Sequence, residues 1–208
     1  MDLSIFKKSP VLGILRGVEP DVIEPLAETV IAAGLEAIEI TMNTRGAAGL
    51  IDKMVRSAKG RITVGAGTVL DKNSLEEALD AGAKFIVSPV LAEDVVKHCV
   101  KNRIPVFPGA LTPQEIYNAW NAGATMVKIF PSSFFGPGYF KEIRGPFDNI
   151  KLLACGGVTP ENMKDYFANG ASAVAFGASV FKKEWLARKD FASIGAEVKR
   201  YINQGGPV

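Results

Sequence analysis

Short apolar runs and longer amphipathic stretches take turns along this chain. The runs fall at residues 11–15, 37–41, 62–66, 85–88, 105–107, 126–130, 151–154 and 173–176, rich in Val, Ile and Phe and bounded by Gly and Pro. Most lack period-two alternation, as parallel strands covered on both faces do. Between them, residues 22–33, 47–57, 73–81 and 113–122 place apolar side chains at helical spacing. A phrase recurs at the joints: Ala33-Gly34-Leu35-Glu36-Ala37-Ile38, Ala81-Gly82-Ala83-Lys84-Phe85-Ile86, Ala122-Gly123-Ala124-Thr125-Met126-Val127 and Asn169-Gly170-Ala171-Ser172-Ala173-Val174. A helix ending in a C′ glycine and leading by a short loop into an apolar run is the joint of a repeating βα unit. Eight such runs alternating with helices predict a compact (β/α)₈ TIM barrel, with an open doubly wound sheet as the competing arrangement. No linker or composition shift intervenes, so residues 1–208 are read as one α/β barrel domain.

Composition narrows the classes of function. Lys and Arg number 24 against 22 Asp and Glu, a formal net charge of +2, and 48% of residues are hydrophobic. Disordered and fibrous classes are excluded, and the charge gives no ground to expect nucleic acid or an anionic membrane as partner. Cys99 and Cys155, the two cysteines, are too far apart for a disulfide framework or a CxxC metal site and read as reduced thiols of a cytosolic chain. The single histidine, His98, falls in a predicted helix and cannot by itself build a zinc site or a Ser-His or Cys-His pair. Residues 1–8 carry no long apolar segment, and no later stretch reaches about 18 apolar residues, so a soluble, unexported, cytoplasmic protein is expected.

In a barrel of this type, chemistry belongs at the carboxyl ends of the strands. Those ends carry Arg16, Glu39 to Asn43, Gly67-Thr68, Ser88-Pro89, Pro108-Gly109, Lys128 with Pro131, Cys155-Gly156-Gly157 and Gly177-Ala178-Ser179. Lys128 stands in the otherwise apolar run Met126-Val127-Lys128-Ile129-Phe130, where desolvation favours the neutral amine, a nucleophile toward carbonyls; the alternative is a lysine that snorkels out of the sheet or pairs with a carboxylate. Glu39, in Ala37-Ile38-Glu39-Ile40-Thr41, suits proton transfer or service as the counter-ion of Lys128. Glu36 is read as solvated. Gly156-Gly157 and Gly177-Ala178-Ser179 are each read as preceding a helix and offering backbone N–H groups to a phosphate, although tight turns explain such loops as well. Arg16 is a carboxylate or phosphate ligand or a rim salt bridge. Gly65-Ala66-Gly67-Thr68 allows close approach of a small substrate. Cys155 reads as a filler, Phe134-Phe135 as loop packing or a subunit contact, and Trp120 and Trp185 as core or interface.

Taken in order, Ile14-Leu15-Arg16, Gly65-Ala66-Gly67-Thr68-Val69, Val87-Ser88-Pro89, Pro108-Gly109, Lys128-Ile129-Phe130-Pro131, Arg144-Gly145-Pro146-Phe147 and Gly156-Gly157-Val158 resemble the class I aldolases for 2-keto-3-deoxy-6-phosphogluconate and 4-hydroxy-2-oxoglutarate. The resemblance covers nearly the whole chain. It implies Lys128 as the Schiff-base lysine and Glu39 as the general acid/base. Thr68, Pro89 and Phe130 would line the pyruvate pocket, and Gly156, Gly157 and Ser179, with Gly177 and Ala178, would hold the phosphate. It also implies a homotrimer of barrels, a keto-acid substrate and no cofactor or metal. Two positions depart from the pattern of the best-known members: Met42-Asn43 stands where a leucine and a substrate-binding arginine are expected, and Cys155 replaces a threonine. Arg16 is then expected to take over the substrate carboxylate, with Asn43 near the substrate.

The expected reaction is cleavage of a 2-keto-3-deoxy sugar acid to pyruvate and an aldehyde. An aldolase for the 6-phosphogalactonate epimer is an alternative. Two others are a phosphate-barrel epimerase or isomerase using Glu39 without a covalent lysine, and a non-catalytic phospho-sugar-binding or self-assembling barrel. Borohydride trapping with pyruvate separates them.

Overall fold

The structure, a computed structural model, describes Phe6 and residues 9–204, so the reading of residues 1–8 falls, Phe6 apart, outside the described residues. The chain runs β1 (Val11–Leu15), α1 (Ile23–Ala32), β2 (Ala37–Thr41), α2 (Ala47–Ala58), β3 (Thr63–Gly67), α3 (Lys72–Asp80), β4 (Ile86–Val87), α4 (Glu93–Lys101), β5 (Val106–Phe107) and β6 (Gly109–Ala110). It continues with α5 (Pro113–Asn121), β7 (Val127–Ile129), α6 (Pro137–Arg144), β8 (Leu152–Cys155), α7 (Met163–Ala168), β9 (Ala173–Phe176), α8 (Lys183–Ala187) and α9 (Phe191–Asn203). Helix starts follow local chemistry. Asp71 and Ser74 form a capping box before α3, and Thr112 and Glu115 form another before α5, where Pro113 takes the first helical position. The joint glycines Gly34, Gly82, Gly123 and Gly170 have φ of 90°, 95°, 97° and 100°, the left-handed caps that end a helix.

All strands are parallel, in the order β5-β4-β3-β2-β1-β9-β8-β7-β6. The eight expected runs become nine segments because Pro108, which has no N–H for the ladder, divides one stave into β5 and β6. Its first half pairs with β4 and its second with β7, and the Lys128 N–H donates to the Pro108 carbonyl at 2.9 Å. One stave thus joins both ends of the sheet, closing a barrel and ruling out the open arrangement.

Alternation along each strand divides the core into two layers. Val11, Leu15, Ile38, Ile40, Val127 and Ile129 pack outward beneath the helices, while Leu12, Phe85, Val87, Phe107, Met126 and Leu153 fill the barrel. Inside, large and small residues are matched: a Cβ on Gly65 would lie 2.5 Å from the Phe85 ring. By the same alternation, Glu39 and Lys128 point inward, into the layer toward the carboxyl ends.

Candidate active site

Lys128 is the middle residue of β7, between outward-facing Val127 and Ile129, and its side chain is 7% exposed. Its Nζ lies 5.2 Å from the Phe130 ring centroid and within electrostatic reach of the Cys155 thiol. No carboxylate among the described residues comes within salt-bridge distance of it. Neither a snorkelling nor an ion-paired lysine is what the structure shows.

Glu39 is 1% exposed, in register with Ile14 on β1 and Gly65 on β3. Its carboxylate fits because Gly67 has no side chain; a Cβ there would overlap Glu39 Oε1. Glu39 Oε2 has no hydrogen-bond partner. Burial pushes the Glu39 pKa up to about 7, against the opposing pull of the Lys128 ammonium and the Arg16 guanidinium. A carboxyl poised near neutrality, within electrostatic reach of a lysine, is suited to exchanging protons. Burial also raises the Cys155 thiol, which Lys128 partly offsets.

A cavity of about 350 Å³ opens above these groups, lined by Ile14, Arg16, Thr68, Pro89, Lys128, Phe130, Cys155, Gly156, Gly157, Val158, Thr159, Ala175, Phe176, Gly177, Ala178 and Ser179. Ten residues singled out from sequence meet here: Arg16, Thr68, Pro89, Lys128, Phe130, Gly156, Gly157, Gly177, Ala178 and Ser179. Glu39 lies behind the wall. Asn43 does not line the cavity: Thr44 N–H closes a turn on the Thr41 carbonyl at 2.9 Å, leaving Asn43 exposed at its apex. Thr68 has φ 55°, a left-handed conformation that costs a threonine strain, and it makes no hydrogen bond among the described residues. Arg16 likewise makes no hydrogen bond or ion pair among them, so the expected alternative of a rim salt bridge does not form.

The glycine loops differ from expectation in one respect. Neither opens directly into a helix, since α7 begins only at Met163 and α8 at Lys183. Their donors are loop amides. Gly156 and Gly157, at φ 92° and 78°, hold consecutive left-handed conformations, and among the described residues nothing accepts from the N–H groups of Gly156, Gly157, Ala178 or Ser179. Asn162 braces the first loop, accepting from Thr159 N–H at 2.8 Å and donating to the Gly157 carbonyl at 3.0 Å. Buried Tyr201 ties both loops together, donating to the Val158 carbonyl at 2.9 Å with its Oη 3.4 Å from Ser179 Oγ. Sequence reasoning missed Val158, Thr159, Asn162 and Tyr201, whose residue types carry no distinctive signal.

Elsewhere, Glu36 is half-buried and accepts from Ser9 N–H at 3.2 Å, so it is not simply solvated. Phe134 and Phe135 are 75% and 59% exposed and lie outside the cavity lining, and Trp120 and Trp185 pack partly buried against the outer core. Among the described residues, no group of three or more His, Cys, Asp or Glu side chains is placed to hold a metal ion, and no helix is long and apolar enough to cross a membrane.

Fold and site together define a β/α-barrel protein with a buried lysine and a buried carboxyl in the inner layer toward the carboxyl ends of the strands. Residues 3–197 match the family model for KDPG and KHG aldolases, and the chain belongs to this family of lyases. It is 34% identical over 197 residues to the 2-dehydro-3-deoxy-6-phosphogalactonate aldolase of Escherichia coli strain K12, covering 93% of this chain and 95% of that protein. It is 32% identical over 193 residues to the KHG/KDPG aldolase of the same strain, covering 92% and 87%. A KDPG aldolase from Legionella pneumophila, solved with pyruvate captured at low pH as a covalent carbinolamine intermediate, has a TM-score of 0.87 at 25% identity, with coverage of 94% and 95%.

Proposed function

We propose that this chain is a metal-independent Schiff-base aldolase. In this reading it cleaves 2-keto-3-deoxy-6-phosphogluconate to pyruvate and glyceraldehyde 3-phosphate, and takes 4-hydroxy-2-oxoglutarate, giving pyruvate and glyoxylate, as a second substrate. The observation that carries it is Lys128, buried without a carboxylate partner at the wall of the cavity and within electrostatic reach of Glu39. The covalent pyruvate in the Legionella pneumophila enzyme supports the same chemistry here.

The unprotonated Lys128 amine adds to the C2 ketone, and loss of water from the carbinolamine leaves an iminium. Glu39, as carboxylate, removes the C4 hydroxyl proton directly or through water. The C3–C4 bond breaks, its electron pair passes to the iminium nitrogen as an enamine, and the aldehyde leaves. Glu39 returns a proton to C3, and hydrolysis frees pyruvate and Lys128. Thr68, Pro89 and Phe130 enclose the pyruvate portion, and the free amides of Gly156, Gly157, Ala178 and Ser179, beside Gly177, receive the phosphate. The 34% identity to the phosphogalactonate enzyme supports the C4 epimer as the second candidate substrate. A cytoplasmic homotrimer of single-barrel subunits is the proposed assembly, in which a subunit contact would cover exposed Phe134 and Phe135.

Borohydride reduction in the presence of pyruvate should fix one pyruvate-derived adduct on Lys128, located by peptide mass mapping, and Lys128→Ala should abolish both adduct and turnover. No adduct, or an adduct elsewhere, overturns the reading. Comparing both epimeric phospho-acids as substrates decides between them.

A further inference from the structure

We infer that Tyr201 is a positioning residue for the substrate phosphate: its phenol, which touches no ligand itself, holds the Val158 carbonyl and the Ser179 hydroxyl so that both glycine loops face one anion. This rests on the aldolase reading and deepens it. The two loops follow β8 and β9, neighbours in the sheet whose paired register ends at Cys155 and Ala175. Beyond that point, among the described residues, no backbone hydrogen bond joins one loop to the other, and neither loop runs straight into a helix. Asn162 braces the first loop alone. Tyr201 reaches both, donating to the Val158 carbonyl at 2.9 Å with its Oη 3.4 Å from Ser179 Oγ.

Tyr201 is anchored independently of the loops it holds. It belongs to α9, is fully buried, and its ring packs on that of Phe176 with centroids 4.6 Å apart, so its Oη is a fixed point behind the cavity wall. Ser179, by contrast, is exposed and lines the cavity. The count of protons sets the direction of each bond. A phenol carries one proton, and the Val158 carbonyl, which can only accept, takes it. At the 3.4 Å contact the Ser179 hydroxyl is therefore the donor. Burial pushes the Tyr201 pKa up, opposed by that donation from Ser179, and the phenol keeps its proton at neutral pH. The Ser179 contact is long and weak. A phosphate dianion, whose terminal oxygens only accept, draws the Ser179 proton outward at little cost, while the shorter bond to Val158 keeps the phenol and the first loop in place. The hydroxyl then donates beside the amides of Gly156, Gly157, Ala178 and Ser179, which have no acceptor among the described residues.

The test compares Tyr201→Phe, Ser179→Ala and the double variant with the wild-type enzyme on 2-keto-3-deoxy-6-phosphogluconate and on the unphosphorylated acid. Phenylalanine keeps the ring against Phe176 and removes only the hydroxyl. Losing one neutral hydrogen bond's worth of phosphate binding should lower the preference for the phosphorylated acid about 3- to 10-fold in Tyr201→Phe, through KM and not kcat. Because Tyr201 acts in part through Ser179, the double variant should lose less than the product of the two single losses. Replacing Tyr201 by p-aminophenylalanine, which restores a donor at the same place on the ring, should recover the preference. Inorganic phosphate should raise the Tm of the wild-type protein more than that of Tyr201→Phe, a readout that needs no turnover. Equal losses on both acids, an unchanged preference, losses that multiply independently, or a phosphate-induced Tm shift the same in both proteins would each overturn the inference. A wild-type protein that cleaves neither acid and traps no pyruvate overturns the aldolase reading instead, and the Tm shift with phosphate still reports on Tyr201.

Discussion

Replacing Glu39 with Gln should slow the enzyme and make it more stable, by an amount that depends on pH. Glu39 has an ordinary carboxyl pKa of 4.5 in the unfolded chain and about 7 in the fold, burial being the main cause. Below pH 4.5 it is protonated in both states and costs nothing. As pH rises toward 7 the unfolded chain releases this proton while the folded protein retains it, so the balance moves toward unfolding; above 7 the cost is complete and levels off. At about 1.4 kcal/mol per pKa unit, the rise from 4.5 to about 7 amounts to about 3 kcal/mol, a large share of the 5 to 15 kcal/mol of a typical domain. Glutamine keeps the shape and cannot ionise. Urea unfolding of both proteins at matched concentration should show little difference near pH 4 and an advantage of about 3 kcal/mol for Glu39→Gln at pH 8. Taking the difference between the two proteins cancels the other titrating groups. Turnover should fall by roughly 10² to 10⁴, and the rise in kcat/KM through pH 7 expected of the wild type should be absent from the variant. A stability difference that is absent at pH 8, or the same at both pH values, would refute the argument that this buried carboxyl costs the fold free energy for the sake of its chemistry.

Gly67→Ala should act through Glu39, because the new Cβ overlaps Glu39 Oε1; turnover should fall as for Glu39→Gln while pyruvate trapping on Lys128 persists, and unchanged turnover would refute it. Burial pushes Cys99 up to about 12 and raises Cys155, so iodoacetamide at pH 8 should leave both unlabelled in the native protein and label both in urea. Mass spectrometry reads this, and rapid native labelling would contradict it.

The sequence by itself determined the repeating unit, because its cause is local. A C′ glycine ends each of four helices and an apolar run follows within a few residues, and all four glycines are left-handed in the structure. Lys128 and Glu39 were legible for a related reason: a charge flanked on both sides by Val and Ile in a strand too short to escape the sheet has to be buried. Tertiary structure decided what depends on distance along the chain. Closure into a barrel turns on Pro108, whose missing N–H divides a stave between two partners, and no local pattern shows that. The turn at Thr41–Thr44 leaves Asn43 exposed outside the cavity lining, and Tyr201 and Asn162 brace the two glycine loops from elements whose sequences suggest only packing and capping. Strand register placed Gly13 beside Phe176, 163 residues later in the chain. Periodicity reports which face of an element is buried; which elements become neighbours is settled only when the sheet closes.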